Sequence, residues 1–168
     1  MKRFTIAVLV RNQYGVLNRV TSMFRRRQFN IISLTVSETE TPEYSRITVL
    51  SEGEDNTKNQ LIDQLYKLPD VYSIQELKGE NTVSRELLLI KVKNNPAARE
   101  DIKAAADAFG VQTVDYTKES MVLQMTGKSR KIDAFIEIMR DYEIMEICRT
   151  GVVSLERGES TIRTTVKL

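Results

Sequence analysis

The sequence has no histidine, one cysteine, three prolines and seven glycines among its 168 residues. Without histidine the chain lacks the usual general base, the commonest metal ligand and the physiological pH switch. No Ser-His-Asp, Cys-His or histidine-zinc site can be built from it. A lone Cys148 allows neither an intrachain disulfide nor a cysteine cluster, which fits a reducing compartment, and the cytoplasm is the expected location. Charge of one sign is missing too: 25 bases against 23 acids leave +2. The first 84 residues carry 11 bases and 10 acids, so neither half is an electrostatic arm, and no nucleic-acid partner is expected. Long apolar runs are absent. Phe4 to Val10 is stopped by Arg11-Asn12-Gln13, too soon for a signal peptide, and no stretch approaches the ~20 apolar residues of a membrane span. Neither export by its own signal nor a membrane partner is expected. What is present, 41% hydrophobic and 29% charged residues, is the composition of a globular chain with room for one ordinary domain or two small ones.

Apolar periodicity divides the chain into a repeated order of elements. Phe4 to Val10 reads as a buried strand, Asn12-Gln13-Tyr14-Gly15 as a turn, and Val16, Leu17, Val20, Met23 and Phe24 as one face of a helix. Asn30 to Val36 and Ser45 to Leu50 form a hairpin around Pro42. A helix with Leu61, Ile62, Leu65 and Leu68 follows, entered through Asp55-Asn56-Thr57 as capping candidates, then a strand from Val71 to Leu77. The second half repeats this order. Arg85 to Lys93 is a strand, and a helix from about Pro96 carries Ile102, Ala106 and Phe109 and ends at Gly110. Val111 to Tyr116 and Ser120 to Met125 pair about Lys118-Glu119. A helix with Ile132, Phe135, Ile136 and Met139 leads to one last strand near Ile144 to Leu155. The expected fold class is α+β, two ferredoxin-like βαββαβ units of ~80 residues each, divided at Lys78 to Thr82. Residues 1–78 make the first domain, 83–158 the second, and 159–168 a mobile tail. Units this small leave a sheet face and edges open, so further sheet pairing or oligomerisation is expected.

Candidate chemistry is sparse. Gly127-Lys128-Ser129 has the end of a phosphate loop, but Val122 stands where the first glycine belongs, so it reads as a helix start. Arg25-Arg26-Arg27 fits a solvated helix C-terminus, where cations complement the dipole. The central strands lack the stacking aromatics of an RNA-recognition module, leaving RNA binding as a poor alternative. Glu38/Glu40, Glu52/Glu54/Asp55 and Glu100/Asp101 sit at turns and helix starts, where carboxylates cap or stay in water. Cys148 in an apolar strand is expected to be a small buried hydrophobe. One corner stands out. Asn12-x-x-Gly15-Val16-Leu17 joins a strand to a helix whose free amides suit a carboxylate; Gly15 permits close approach, and Leu17 and Ile31 offer an apolar wall. Its alternative reading is that Asn12 and Gly15 merely build the turn.

Asn-x-x-Gly-Val-Leu, a helix, then Asn30-Ile31 resembles the amino-acid-binding corner of ACT domains. Phe29 to Val36, Ser45 to Thr48, Arg85 to Val92, Lys131 to Phe135, Arg149 to Val153 and Arg157-Gly158 together resemble the small, regulatory subunit of acetolactate synthase, from about Arg3 to Gly158. The resemblance implies an N-terminal ACT domain and a second ferredoxin-like domain, with no catalytic residues. It implies a catalytic large subunit as partner, which carries thiamine diphosphate, Mg²⁺ and FAD, while this chain holds no cofactor. It also implies feedback inhibition by valine or a related branched-chain amino acid. The binding residues carried over are Asn12, Gly15, Val16 and Leu17 of one protomer and Asn30 and Ile31 of another, across a homodimer of ACT domains. Gln28 departs from the family, whose members often have Gly there, and Tyr14 is bulkier than usual beside Gly15. The alternative function is an ACT-type amino-acid sensor for another enzyme.

Overall fold

A computed structural model describes residues 2–164. The chain up to Val83 together with the chain from Val152 onward forms one compact unit, and residues 84–151 form the other.

In the first unit the order is β1 (Lys2–Arg11), α1 (Val16–Arg26), β2 (Ile31–Glu38), β3 (Tyr44–Gly53), α2 (Asp55–Leu65) and β4 (Val71–Leu77). The sheet is antiparallel in the order β2-β3-β1-β4, with Val8 opposite Ile47 on one side and Ile74 on the other. Strand alternation sends Ile6, Val8, Val10, Ile47 and Val49 to one face, where they pack with Val16, Val20 and Phe24 of α1 and Leu61 and Leu65 of α2. Their removal from water drives this half of the fold, at roughly 1.5–3 kcal/mol per large side chain. Helix α2 begins one residue earlier than the capping motif suggested. Glu54 is its N-cap without a side-chain bond, and Asp55, inside the first turn, pairs with Lys58 instead.

The second unit repeats the topology with β5 (Thr82–Lys93), α3 (Arg99–Phe109), β6 (Gln112–Tyr116), β7 (Ser120–Gly127), α4 (Ser129–Met139) and β8 (Ile144–Arg149). Its sheet order, β6-β7-β5-β8, is the first sheet's order over again, with Ile90 between Leu123 and Ile147. Leu88, Ile90, Val92, Ile102, Leu123, Ile132 and Phe135 form the core. Gly127 ends β7 and Lys128 is the N-cap of α4, so the phosphate-loop fragment is an ordinary helix start. Buried Glu86 grips Arg149 through both carboxylate oxygens, at 2.7 and 2.9 Å.

Two expectations need correction. Cys148 is exposed, not buried: β8 is an edge strand, and Cys148 stands opposite Leu89, whose neighbours Leu88 and Ile90 point the other way into the core. The last strand is not continuous from Ile144 to Leu155. It breaks at Thr150-Gly151, where Gly151 takes φ 79°, and β9 (Val153–Glu156) follows as a separate strand, a fifth one that pairs with β5 off the path β6-β7-β5-β8. The segment after β9 also has partners. Up to Thr164 it is bonded to the first unit: Ile162 is 8% exposed against Ala7, Leu9 and Leu77 on the sheet face away from the helices, and its carbonyl accepts Ser73 Oγ at 2.6 Å. Arg46 Nη2 donates to Ser154 O at 2.7 Å and Gln75 Nε2 to Glu156 Oε2 at 2.7 Å. These bonds make 152–163 a strap over the first unit's sheet. The final four residues of the expected tail lie outside the described residues.

Candidate functional site

The corner between β1 and α1 is built by backbone demands. Arg11 N–H donates to Asp70 O at 2.9 Å and Asn12 N–H to Glu43 O at 2.8 Å, so the chain leaves the sheet pinned to two neighbouring loops. Gly15 is the N-cap of α1 at φ 81°, ψ −10°, left-handed geometry that an L side chain enters only with strain. The first intrahelical bond runs from Arg19 N–H to Gly15 O at 3.0 Å, so the amides of Leu17 and Asn18 precede the ladder. The first turn of α1 carries no acid and its N-cap makes no side-chain bond. Its positive dipole end therefore faces outward uncompensated, a favourable seat for an anion.

Asn12 is exposed, and its Nδ2 donates to Glu38 Oε1 and to Pro42 O, both at 3.0 Å. Both amide hydrogens are thus used, and the oxygen is what the side chain offers to a newcomer. Asn12, Gln13 and Tyr14 border an open depression of about 660 Å³, and Tyr14 stands wholly in solvent. Leu17 is 42% exposed beside it, an apolar side chain with no place in the core. Arg19 Nη2 lies 2.6 Å from Asp70 Oδ2, which holds a guanidinium over the first turn of the helix.

Asn12, Gly15 and Leu17 therefore come together at one end of α1. Val16 belongs there by its backbone only, since its side chain is buried in the core. Asn30 and Ile31 do not join them within one chain. They follow the other end of the helix, and eleven residues at 1.5 Å per residue set the two groups about 16 Å apart. Asn30 is exposed, its carbonyl accepting Ser51 Oγ at 2.7 Å, and Ile31 is half-buried at the start of the edge strand β2. The connection to them passes through Gln28 at φ 56°, the strained position the sequence pointed to.

Sequence reasoning missed the groups that hold the corner. From the sequence Glu38 reads only as a possible acid or a solvated turn residue and Asp70 carries no signal; a loop asparagine in need of partners is the one available. Among the described residues no cluster of three His, Cys, Asp or Glu could hold a metal ion. Three of the carboxylates singled out have structural partners instead: Glu38 with Asn12, Glu40 with Arg163, Asp55 with Lys58.

Two family models match the chain: an acetolactate synthase (AHAS) small subunit-like ACT domain over residues 6–73, and the small subunit of acetolactate synthase over residues 85–158. A probable acetolactate synthase small subunit from Archaeoglobus fulgidus is 45% identical over 156 residues, 93% of this chain and 98% of that one. The acetolactate synthase small subunit of Bacillus subtilis is 45% identical over 160 residues, 94% and 92% of the two chains. The chain belongs to the acetolactate synthase small-subunit family. The crystal structure of the small subunit from Thermotoga maritima agrees, at a TM-score of 0.88 and 34% identity over 95% of this chain and all of that one. All six corner residues lie inside the ACT match of this small subunit, and its two βαββαβ sheets are the ferredoxin-like fold of that family. No described helix is long and apolar enough to cross a membrane.

Proposed function

We propose that the chain is the regulatory subunit of a cytoplasmic acetolactate synthase in branched-chain amino acid biosynthesis. It binds the catalytic large subunit, raises its activity, and renders it sensitive to valine. Thiamine diphosphate, Mg²⁺ and FAD belong to the large subunit in this reading, and bond-making takes place there. A chain with no histidine is suited to such a role.

The observation that carries the reading is the corner at Gly15, open at a helix N-terminus with no acid of its own in the first turn. Valine's carboxylate would sit on the amides after Gly15, its ammonium against Asn12 Oδ1 or the Asn30 amide oxygen, and its isopropyl group against Leu17 and Ile31. One chain holds the two halves of that list about 16 Å apart. A homodimer joined through ACT sheet edges would bring one copy's Gly15 end to the other copy's Asn30 end, with β2 as the available edge strand and Ile32 and Val36 exposed on it. Valine then inhibits by favouring one state of the complex, a coupling of typically ~1–3 kcal/mol.

Purified large and small chains, mixed and assayed for acetolactate with and without valine, test this directly. Activity should rise on mixing and fall with valine. Gly15→Asp fills the approach and sets a negative charge where the carboxylate belongs, so calorimetric valine binding should be lost; an unchanged affinity would refute the placement.

A further inference from the structure

The candidate corner and the C-terminal strap grip the same turn from opposite sides. The Thr39–Glu43 connection between β2 and β3 is stiffened from within: Thr39 Oγ1 donates to Thr41 O at 2.9 Å, Tyr44 N–H to Thr41 O at 2.9 Å, and Thr39 N–H to Tyr44 O at 3.1 Å. On one side it is tied to Asn12, through Glu38, Pro42 O and Glu43 O. On the other it is tied to Arg163. The Arg163 guanidinium pairs with Glu40 Oε1 at 2.9 Å, donates to Thr41 Oγ1 at 2.5 Å and lies 5.5 Å from the ring centre of Tyr44, where β3 begins. A stiff turn held at both ends passes a displacement on instead of absorbing it. A cavity of about 300 Å³ between the turn, Arg46, Leu155 and Ile162 gives it room to move.

Arg163 is not what fastens the strap. Ser73 to Ile162 O, Arg46 to Ser154 O and Gln75 to Glu156 do that, and Ile162 fills the sheet face. Arg163 reaches past these anchors to the turn and to nothing else described.

We propose that Arg163 is a positioning residue for the amino-acid corner: by holding Glu40 and Thr41 it sets where the carbonyls of Pro42 and Glu43 stand, and through them how Asn12 presents its oxygen. What Asn12 then meets rests on the valine reading given above; the linkage from Arg163 to Asn12 does not. Because the ion pair is exposed, the expected effect is modest, about two- to five-fold.

Nitrogen-resolved NMR of the full chain reads the linkage without any ligand, since the Asn12 side-chain amide has one signal for each of the hydrogens given to Glu38 and Pro42. Arg163→Ala and Glu40→Gln should both shift these signals and speed exchange of the Asn12 backbone amide, while the amides of Ile47 and Val49 in the core stay put. Arg163→Lys, which keeps the charge but loses the fork, should fall between. Valine calorimetry on the same proteins should show an affinity about two- to five-fold weaker in Arg163→Ala, partly restored in Arg163→Lys. Asn12 signals that superpose on the wild type's in both Arg163→Ala and Glu40→Gln would overturn the proposal. If those signals move but the wild type binds no valine, the linkage stands and the ligand reading falls.

Discussion

Asn12 and Asn94 occupy the same corner of two units with the same topology, and they are used in opposite ways. Each donates its backbone amide to the facing turn, Asn12 to Glu43 O at 2.8 Å and Asn94 to Glu119 O at 2.9 Å. Each side-chain Nδ2 donates to a carbonyl of that turn, Pro42 O at 3.0 Å and Thr117 O at 2.5 Å. There the likeness stops. Asn94 is buried, its Oδ1 accepts Arg99 Nε at 2.8 Å, and Glu100 and Asp101 in the first turn of α3 compensate the helix dipole. Asn12 is exposed, no described residue donates to its Oδ1, and the first turn of α1 has no acid. The second unit supplies from its own sequence a cation for the asparagine and anions for the helix end. A free amino acid carries both, an ammonium and a carboxylate, so the proposed ligand would supply what the first unit's own sequence does not.

The largest expected effect separates the two asparagines. Asn94→Ala removes a buried side chain that bonds both the Thr117 carbonyl and the Arg99 guanidinium, and should cost about 2–3 kcal/mol in denaturant unfolding. Asn12→Ala, at an exposed position, should cost less than about 1 kcal/mol while weakening valine binding strongly. Equal stability losses would mean that both corners are structural and that the open one has no ligand to wait for.

Buried ion pairs sharpen the contrast through pH. In the first unit Lys58 lies 2.6 Å from Glu76 and 3.2 Å from Asp55. The hydrogen bond to Glu76 raises the Lys58 pKa above the ordinary lysine value, against the opposing effect of burial. Burial alone would raise Glu76, but the bonds from Lys58 and Lys78 hold its carboxyl below the usual range. The Lys58 contribution is therefore complete below the unfolded value near ~10.4 and vanishes as pH climbs through the higher folded one; that of Glu76 is present above ~4.3 and vanishes as pH falls through the lower folded one. In the second unit the bond to Glu86 raises Arg149, already too basic to deprotonate, so no alkaline loss is expected there. Thermal unfolding of wild type and Lys58→Met from neutral pH to about pH 11 should converge by up to about 1 kcal/mol as the wild type begins to lose its bond. Parallel curves would place the alkaline loss elsewhere.

Most of the fold was legible because its elements are bought with periodic apolar residues: Val16, Val20 and Phe24, spaced for one helix face, are all buried, although Leu17, read on the same face, is exposed. The strap was not legible. Past Val152, Val153 and Leu155 its run is polar but for Ile162, β9 is four residues long, and two of the strap's anchors run to backbone carbonyls, Ser154 O and Ile162 O, which leave no residue pattern. At the corner, turn chemistry exposed Asn12 and Gly15, but Glu38 lies 26 residues from Asn12, and Thr41 lies 122 from Arg163. Contacts at such distances are set by topology, which spacing along the chain does not carry. Asn94 escaped notice for a related reason: Asn95-Pro96 follows it where a glycine follows Asn12, so the two corners share geometry without sharing a motif.

The smallest effect concerns the ends of α1 and α3, which close alike on different residues. Phe29 N–H returns to Phe24 O at 2.9 Å and Val111 N–H to Ala106 O at 2.8 Å, the long-range bond of a Schellman ending, with Gln28 at φ 56° and Gly110 at φ 70° in the left-handed position. Gln28→Gly relieves about 1–2 kcal/mol of strain and returns about 0.4–1 kcal/mol to the unfolded chain's entropy, so a gain near 0.5 kcal/mol is expected. Gly110→Gln, with open space around it, should lose about as much through backbone strain alone. Because Phe29 stays anchored edge-on to Phe4 and Phe24, the path onward to Asn30 is fixed by that packing and not by Gln28. Valine calorimetry on Gln28→Gly should therefore match the wild type. A changed affinity would show that the strained glutamine itself aims Asn30, and that the first unit keeps strain at its helix end for the ligand's sake where the second carries an unstrained glycine.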